Sequence, residues 1–202
     1  MNIAIIGSGN VGGAIGTKWV QSGHRVIYGI REMNERVEQR LAEADGRAQA
    51  KPIAEALVTS DAVLLAIPGM ALDQFLADHG TSLDGKLVID ATNRMGQDAL
   101  HDLNAIHNVA PEAQVVRAFN TLGWEMFANP IVGGEQASLF FCGPAESRET
   151  AEKLVADVGL QPVYIGGNDQ IETIDNLAKV WFSLAFGQKM GRRVALRLIA
   201  DK

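Results

Sequence analysis

The sequence predicts an α/β fold in which helices cover both faces of a doubly wound, mainly parallel sheet. Short runs of β-branched and other apolar residues recur along the chain, and stretches with helical periodicity separate several of them. Strands that are apolar throughout are typical of sheets that helices shield on both faces. The 202 residues, of which 47% are hydrophobic and 21% charged, suit one such domain with an appendage.

The strand and helix patterns alternate along most of the chain. Apolar, β-branched runs predict strands over residues Ile3–Ile6, Val26–Ile30, Ala62–Ile67, Leu87–Ile89, Val115–Ala118, Leu139–Cys142 and Val163–Ile165. Helical spacing between these runs predicts helices over Val11–Gln21, Glu32–Ala44 and Arg148–Val158. A weaker strand pattern over Arg47–Lys51 comes directly before a helical pattern over Ile53–Val58.

The last thirty residues follow a different pattern. From Ile171 onward apolar residues recur at helical spacing, which predicts a long C-terminal helix. Gly187 and Gly191 predict a bend, after which Val194–Ile199 resumes the helical pattern. We therefore divide the chain into an N-terminal domain, residues 1–143, and a C-terminal α/β extension, residues 144–202. The terminal helix is expected to cover the sheet, line a ligand pocket or form a homodimer contact.

A cluster of glycines follows the first predicted strand and opens the first predicted helix. Gly7, Gly9 and Gly12 form the sequence G-S-G-N-V-G. At this position the first glycine permits a tight turn, the second lets the backbone approach a pyrophosphate, and the third lets helix and strand pack closely. The helix N-terminus favours negative phosphates, and Asn10 is expected to cap it or to contact a phosphate. The motif therefore predicts a Rossmann-type domain that binds a dinucleotide.

The end of the second predicted strand indicates which dinucleotide is bound. Folds that bind NAD usually place an acidic residue there for the ribose 2′-hydroxyl, roughly twenty residues beyond the glycines. Here Arg31 occupies the strand end and Glu32 follows it. A guanidinium matches a 2′-phosphate in charge and geometry, so the sequence favours NADP(H), provided that Glu32 points away.

The carboxyl ends of the later strands are expected to face the same crevice, where open α/β sheets bind ligands. Ile67 and Pro68 follow one of these strands and are candidates to pack against the nicotinamide ribose. Asn93, Asn120 and Thr121 follow the next two and offer side-chain hydrogen bonds, although these residue types also form turns.

Composition limits the other classes of function. A formal charge of −6 argues against nucleic acid as the main partner, and no apolar run approaches the ~20 residues that a membrane helix needs. The single cysteine, Cys142, excludes an intramolecular disulfide framework. None of the four histidines has a partner at metal-ligand spacing, so we expect no metal site. A cytoplasmic protein that acts on a small molecule is the plain expectation.

Motifs along nearly the whole chain resemble the NADPH-dependent reductases of the deazaflavin coenzyme F420. The cytosolic domains of the STEAP-type metalloreductases are similar as well. The motifs that carry the resemblance are I-G-S-G-N-V-G at the start, Y-G-I-R after the second strand, V-V-R-A-F-N-T-L-G-W at residues 115–124, F-F-C-G at 140–143, and the final W-F-S-L-A-F-G-Q-K-M-G-R-R. The first motif is shared by many dehydrogenases, whereas the third, together with the long tail, is more specific.

The resemblance implies a domain that holds NADP(H), with a flavin or coenzyme F420 laid against the nicotinamide as co-substrate. It places at the pyrophosphate the residues Gly7, Ser8, Gly9, Asn10, Val11 and Gly12, and it places Arg31 at the 2′-phosphate. Trp124 matches a tryptophan that lines the flavin site of the metalloreductase domains, close to Thr121. The family often has serine before the strand-end arginine, whereas this chain has Ile30, so one hydrogen bond to the 2′-phosphate is lost.

This chemistry requires no catalytic side chain, because the two cofactors supply the reacting atoms and the protein supplies distance and orientation. Two other functions stay open at this point. A small imine or keto reductase that works as a dimer would share the N-terminal half of the chain. An NADP(H)-binding sensor without catalysis would share the cofactor site.

Overall fold

The computed structural model describes residues 1–201 and confirms the predicted doubly wound α/β fold. Six parallel strands form one sheet in the order β3-β2-β1-β4-β5-β6. The strands are β1 Asn2–Ile6, β2 Arg25–Ile30, β3 Ala48–Pro52, β4 Ala62–Leu65, β5 Leu87–Asp90, β6 Gln114–Arg117, β7 Ile131–Val132, β8 Glu135–Gln136, β9 Ser138–Phe141 and β10 Gln161–Tyr164. The helices are α1 Asn10–Gln21, α2 Glu35–Glu43, α3 Ile53–Val58, α4 Leu72–His79, α5 Leu103–Val109, α6 Trp124–Ala128, α7 Arg148–Asp157 and α8 Ile171–Phe182.

The central strand β1 shows why both faces of the sheet are covered. Successive side chains of a strand point to opposite faces. Ile3 and Ile5 belong to one buried apolar cluster, which includes residues of α1 and α7, whereas Ala4 and Ile6 belong to a second cluster with residues of α3 and α4. The apolar run of β1 thus supplies both layers of the core.

The last two predicted strands form a separate sheet. β9 and β10 pair with each other in parallel, and only an isolated bridge between Arg117 and Cys142 links them to the end of β6. The extension is held to the first helix instead, because Trp19 of α1 donates a hydrogen bond from Nε1 to the carbonyl of Leu154 in α7, at 2.9 Å. This contact positions α7 beside the sheet.

The C-terminal helix is shorter than the sequence pattern predicts. α8 continues as one π-helical turn, Ser183–Gly187, and the expected helix over Val194–Ile199 is wrong, since these residues form neither a helix nor a strand. The carbonyl of Leu196 accepts a hydrogen bond from the amide of Ser138 at 3.0 Å, and Trp181 donates to the carbonyl of Val194 at 2.9 Å. The tail therefore pairs its backbone with β9 and α8 rather than with itself.

No helix in residues 1–201 has both the length and the apolar character that crossing a bilayer requires.

Candidate cofactor site

A cavity of about 570 Å³ lies at the carboxyl ends of β1, β2 and β4. Its lining consists of the glycine loop, the end of β2 and the segment after β4: Ile6, Gly7, Ser8, Gly9, Gly29, Ile30, Arg31, Glu32, Asn34, Ile53, Ala66, Ile67 and Pro68. A second cavity of about 130 Å³ shares Arg31 and Ile67 with the first and extends it towards Phe75 and His79 of α4. Together they make an elongated crevice at the edge of the sheet where dinucleotides bind in folds of this class.

The three motif glycines have three different surroundings. Gly7 has a φ of +108°, and a Cβ there would lie 2.4 Å from the carbonyl oxygen of Ala66. A Cβ on Gly12 would lie 2.0 Å from the carbonyl oxygen of Gly7, so this glycine lets α1 pack against the loop. A Cβ on Gly9 would instead have no atom of the described residues within 4 Å. Gly9 therefore leaves open space on the cavity side of the loop.

The N-terminus of α1 leaves its donors available to a ligand. Gly9 is the N-cap, and within the described chain it has no side-chain hydrogen bond and no acidic residue in the first turn beside it. The expected capping by Asn10 is wrong, because Asn10 is the first residue of the helix and its side chain is exposed. Val11, also expected at the pyrophosphate, packs partly into the core. The free amide groups and the helix dipole make this end attractive to phosphate.

Arg40 is a residue of this site that the sequence motifs missed. It belongs to α2, and its Nη2 donates a hydrogen bond to the carbonyl of Gly9 at 3.3 Å. Its guanidinium covers Gly13, where a Cβ would lie within 1.8 Å of Cζ. The side chain both holds the loop and adds positive charge beside it. Arg40 is 31 residues from Gly9 along the chain, so no local sequence pattern predicts this contact.

Arg31 lies where the sequence predicts it, in the wall of the cavity at the end of β2. Its side chain is exposed, and it forms no ion pair with any described residue. Glu32 lines the same cavity, and Asn34 beside it caps α2 by accepting a hydrogen bond from the amide of Val37. The guanidinium N–H groups of Arg31 are thus available to bind a phosphate, while the Glu32 carboxylate adds a negative charge to the same cavity.

The segments after β4, β5 and β6 are in direct contact with one another. A Cβ on Gly69 would lie 2.4 Å from the carbonyl oxygen of Asn93, so the two loops touch backbone to backbone. Asn93 donates a hydrogen bond from Nδ2 to the carbonyl of Asn120 at 2.9 Å. Ile67 and Pro68 line the cavity as expected, whereas Asn93 and Asn120 lie beyond its lining and bind each other.

A buried charged cluster joins these loops to α8. Arg117 of β6 is fully buried and donates to the carboxylates of Asp90 and Asp175, at 2.9 and 2.8 Å. It also donates to Asn93 Oδ1 at 3.1 Å, and Asn120 Nδ2 lies 3.4 Å from Asp175 Oδ1. The motif V-V-R-A-F-N-T contains Arg117, but its partner Asp175 is 58 residues further along the chain, so sequence reasoning did not find the pair.

Thr121 and Trp124, the expected acceptor residues, begin the segment that follows β6. Thr121 is buried, with a relative exposure of 6%. Trp124 is the first residue of α6, is half-buried and packs against the main core cluster. α6 in turn packs beside α1, whose N-terminus carries the glycine loop.

Cys142 is buried at the end of β9, as the sequence predicts. Burial raises the pKa of its thiol to about 12, although the Arg117 charge acts in the opposite direction. A thiol with so high a pKa is inert towards oxidants and metals at neutral pH.

Comparison with known proteins finds a family that the N-terminal part of the chain resembles. Residues 2–94 match the family described as NADP oxidoreductase, coenzyme F420-dependent. A solved structure from Arthrobacter sp. FB24, of a proposed F420-dependent NADP-reductase, superposes with a TM-score of 0.81 over 98% of this chain and 99% of that one. At 21% identity it establishes the shared fold.

Two curated relatives are similar in sequence. Metalloreductase STEAP3 of Rattus norvegicus is 25% identical over 170 residues, which are 81% of this chain and 33% of the relative. The glycerol-3-phosphate dehydrogenase [NAD(P)+] of Pseudomonas fluorescens is 27% identical over 125 residues, 56% of this chain and 37% of the relative. The chain thus spans about a third of the length of these relatives. The resemblance drawn from the sequence is confirmed by the match of residues 2–94 to the coenzyme F420-dependent NADP oxidoreductases and by the similarity to a metalloreductase.

Proposed function

We propose that the protein is an NADPH-dependent oxidoreductase that transfers hydride between the nicotinamide and a flavin or deazaflavin acceptor such as coenzyme F420. The observation that carries the proposal is the glycine loop, in which Gly9 faces open space in a cavity that Arg31 also lines. A bound NADPH supplies the hydride, and the chain supplies binding and orientation. The family match through residues 2–94 supports the same assignment.

In this proposal each part of the cofactor has its own contacts in the crevice. The loop from Gly7 to Gly12 and the N-terminus of α1 bind the pyrophosphate through backbone amides, and Ser8 adds a hydroxyl. Arg31 binds the 2′-phosphate at one end. Ile67 and Pro68 pack against the nicotinamide ribose at the other, where the chain leads on to Asn93 and Asn120.

Trp124 is proposed as the apolar wall for the acceptor, with Thr121 beside it. A planar isoalloxazine or deazaflavin needs such a wall on the face that is turned away from the nicotinamide, and an indole has the right size. The half-buried indole stands at the start of α6, next to the helix that carries the glycine loop. This position supports the role.

The function is tested by following NADPH absorbance after rapid mixing with the protein and one acceptor at a time. The acceptors are FMN, FAD, coenzyme F420 and a cyclic imine, and a sample without acceptor is the control. We expect saturable oxidation of NADPH with a flavin or with F420. Turnover of the imine alone would show an imine reductase instead. Tight binding of NADPH without turnover of any acceptor would show a sensor.

The acceptor wall is tested separately with Trp124→Ala. Loss of the wall lowers the rate of flavin or F420 reduction, or raises the KM for the acceptor, while NADPH affinity stays near that of the unaltered protein. Phe186→Ala is the control, because that ring is 53% exposed and lies on the π-helical turn after α8. If Trp124→Ala lowers thermal stability but leaves acceptor kinetics unchanged, the indole only packs the core.

A further inference from the structure

The cluster around Arg117 contains more negative than positive charge. Arg117 is 0% exposed, Asp90 1% and Asp175 3%, so two carboxylates share one guanidinium out of contact with water. Asp90 Oδ1 also accepts hydrogen bonds from the amide and hydroxyl of Thr92, at 2.9 and 2.7 Å. Asp175 Oδ2 accepts from the amides of Leu100 and His101, each at 3.1 Å. These donors stabilise the negative charge of both carboxylates.

Charge balance alone does not require two carboxylates beside one buried arginine. One carboxylate is enough to neutralise a buried arginine, and a second one adds a further desolvation cost. The neighbouring Arg94 does not offset it, because Arg94 is itself paired with two carboxylates, those of Asp73 and Asp102. The cluster therefore carries a net charge of about minus one at a buried position.

The cluster lies next to the nicotinamide end of the crevice. Arg117 binds Asn93, and the backbone of Asn93 touches Gly69, which directly follows Pro68 in the lining of the cavity. Arg31 lies in the same lining at the end of β2. In the sheet, β2 lies on one side of β1, whereas β5 and β6, which carry Asp90 and Arg117, lie on the other side.

We propose that the Asp90–Arg117–Asp175 cluster stabilises the oxidised nicotinamide relative to the reduced one through its net negative charge. The proposal rests on the function proposed above. The oxidised ring carries a positive charge that the reduced ring lacks, whereas both forms carry the same phosphates. A buried negative charge near the ring therefore binds the oxidised form more tightly and makes the bound reduced form a stronger hydride donor. None of the three residues has to touch the cofactor, so they act as positioning and electrostatic residues.

The test uses two isosteric neutralisations on opposite sides of Arg117, Asp90→Asn and Asp175→Asn. The dissociation constants of NADP⁺ and NADPH are measured for each variant by titration, and their ratio is compared with that of the unaltered protein. Each variant is expected to weaken the binding of NADP⁺ relative to that of NADPH by about tenfold, which corresponds to about 1.4 kcal/mol. Glu149→Gln, on the exposed surface of α7, is the control and leaves the ratio unchanged.

The ratio separates a charge effect from a structural one. A cluster that only holds α8 to the sheet would, when altered, weaken both nucleotides equally or lower only the melting temperature, and that result overturns the proposal. A shift in one variant but not in the other also overturns it, because the two substitutions remove the same charge. If neither variant folds, the test is the ratio of the two dissociation constants in the unaltered protein. Tighter binding of NADPH than of NADP⁺ then contradicts the proposal. If the unaltered protein binds neither nucleotide, the proposed function itself fails.

Discussion

The two halves of the carboxyl edge of the sheet are built in opposite ways. The half formed by β1, β2 and β4 is open, and it offers a ligand mainly backbone groups and small residues around Gly9. The half formed by β5 and β6 is filled by Arg117 and the carboxylates that bind it. The open half leaves its donors free for a phosphate, whereas the closed half satisfies its donors internally and orders the loops around them.

The difference matches the two tasks that the proposed function assigns to this edge. Binding a dinucleotide requires unpaired amides at a helix N-terminus, which only an open cradle provides. Holding loops from two strands and α8 in one arrangement requires buried, mutually satisfied side chains. Substitutions in the open half should therefore change the affinity for NADPH and leave the free energy of unfolding nearly constant. Substitutions in the closed half should mainly change the free energy of unfolding.

The largest effect is expected for Arg117→Leu in the closed half. Removal of the guanidinium leaves Asp90 and Asp175 buried without their cation, which costs about 3–5 kcal/mol of the free energy of unfolding. Urea denaturation measures the loss. Arg192→Leu is the control, because its ion pair with Glu125 is 42% exposed on the arginine side and contributes about 1 kcal/mol or less. Equal losses in the two variants would contradict the contrast between the halves.

The next effect is expected for Gly9→Val in the open half. The new side chain enters the space where the pyrophosphate lies, so NADPH affinity falls by about a hundredfold or more, roughly 3 kcal/mol. The melting temperature stays within a degree or two of the original, because no described atom lies within 4 Å of the added Cβ. Gly187→Val serves as the matched control, since Gly187 has the same open surroundings among the described residues and lies after α8. Retained affinity in Gly9→Val would show that the loop is only a turn.

Arg31→Ala sharpens the comparison at the far end of the cavity. Loss of a bidentate phosphate contact is expected to weaken NADPH by about tenfold to a hundredfold, or about 1.5–3 kcal/mol, and to leave NADH nearly unchanged. Titration of both nucleotides measures the selectivity. Arg25→Ala, at the amino end of β2, is the charge-matched control. Were both nucleotides to lose affinity equally, Arg31 would not bind the 2′-phosphate.

The smallest expected effect on stability concerns Asp157 of α7, which lies away from the carboxyl edge of the sheet, where the C-terminal extension contacts the end of α1. Burial raises the pKa of the Asp157 carboxyl, but hydrogen bonds from His24 and Lys153 outweigh it, so the pKa lies below its ordinary value. A lowered folded-state pKa contributes stability above the unfolded value of about 3.9, and this contribution is lost as the pH falls through the folded value.

Asp157→Asn therefore lowers the free energy of unfolding by about 1 kcal/mol at pH 7 and less below about pH 4. Denaturation curves at several pH values measure the difference between the two proteins. Asp169→Asn, an exposed carboxylate before α8, provides the comparison. A difference that persists unchanged in acid would contradict the ionic origin.

Local patterns predicted the open half of the edge well. The apolar strand, the glycine loop and α1 are contiguous, so Gly7, Gly9 and Gly12 could be assigned their separate roles before any tertiary contact was known. The position of Arg31 could also be predicted, because the end of β2 is a local feature. The contacts of the closed half could not be predicted, since the packing of α8 brings Arg117 and Asp175 together.

The sequence by itself determined the alternation of strands and helices and the place of the glycine loop, because both depend on residues that are neighbours along the chain. The tertiary structure decided the contacts that join distant residues. It placed Arg40 against the glycine loop, paired β9 with β10 apart from the main sheet, and brought Leu196 and Leu198 to Ser138 of β9. In each case the hydrogen bonds join residues that are far apart in the sequence. The periodicity of a segment reports only its own preference for helix or strand, so it does not predict such long-range hydrogen bonds.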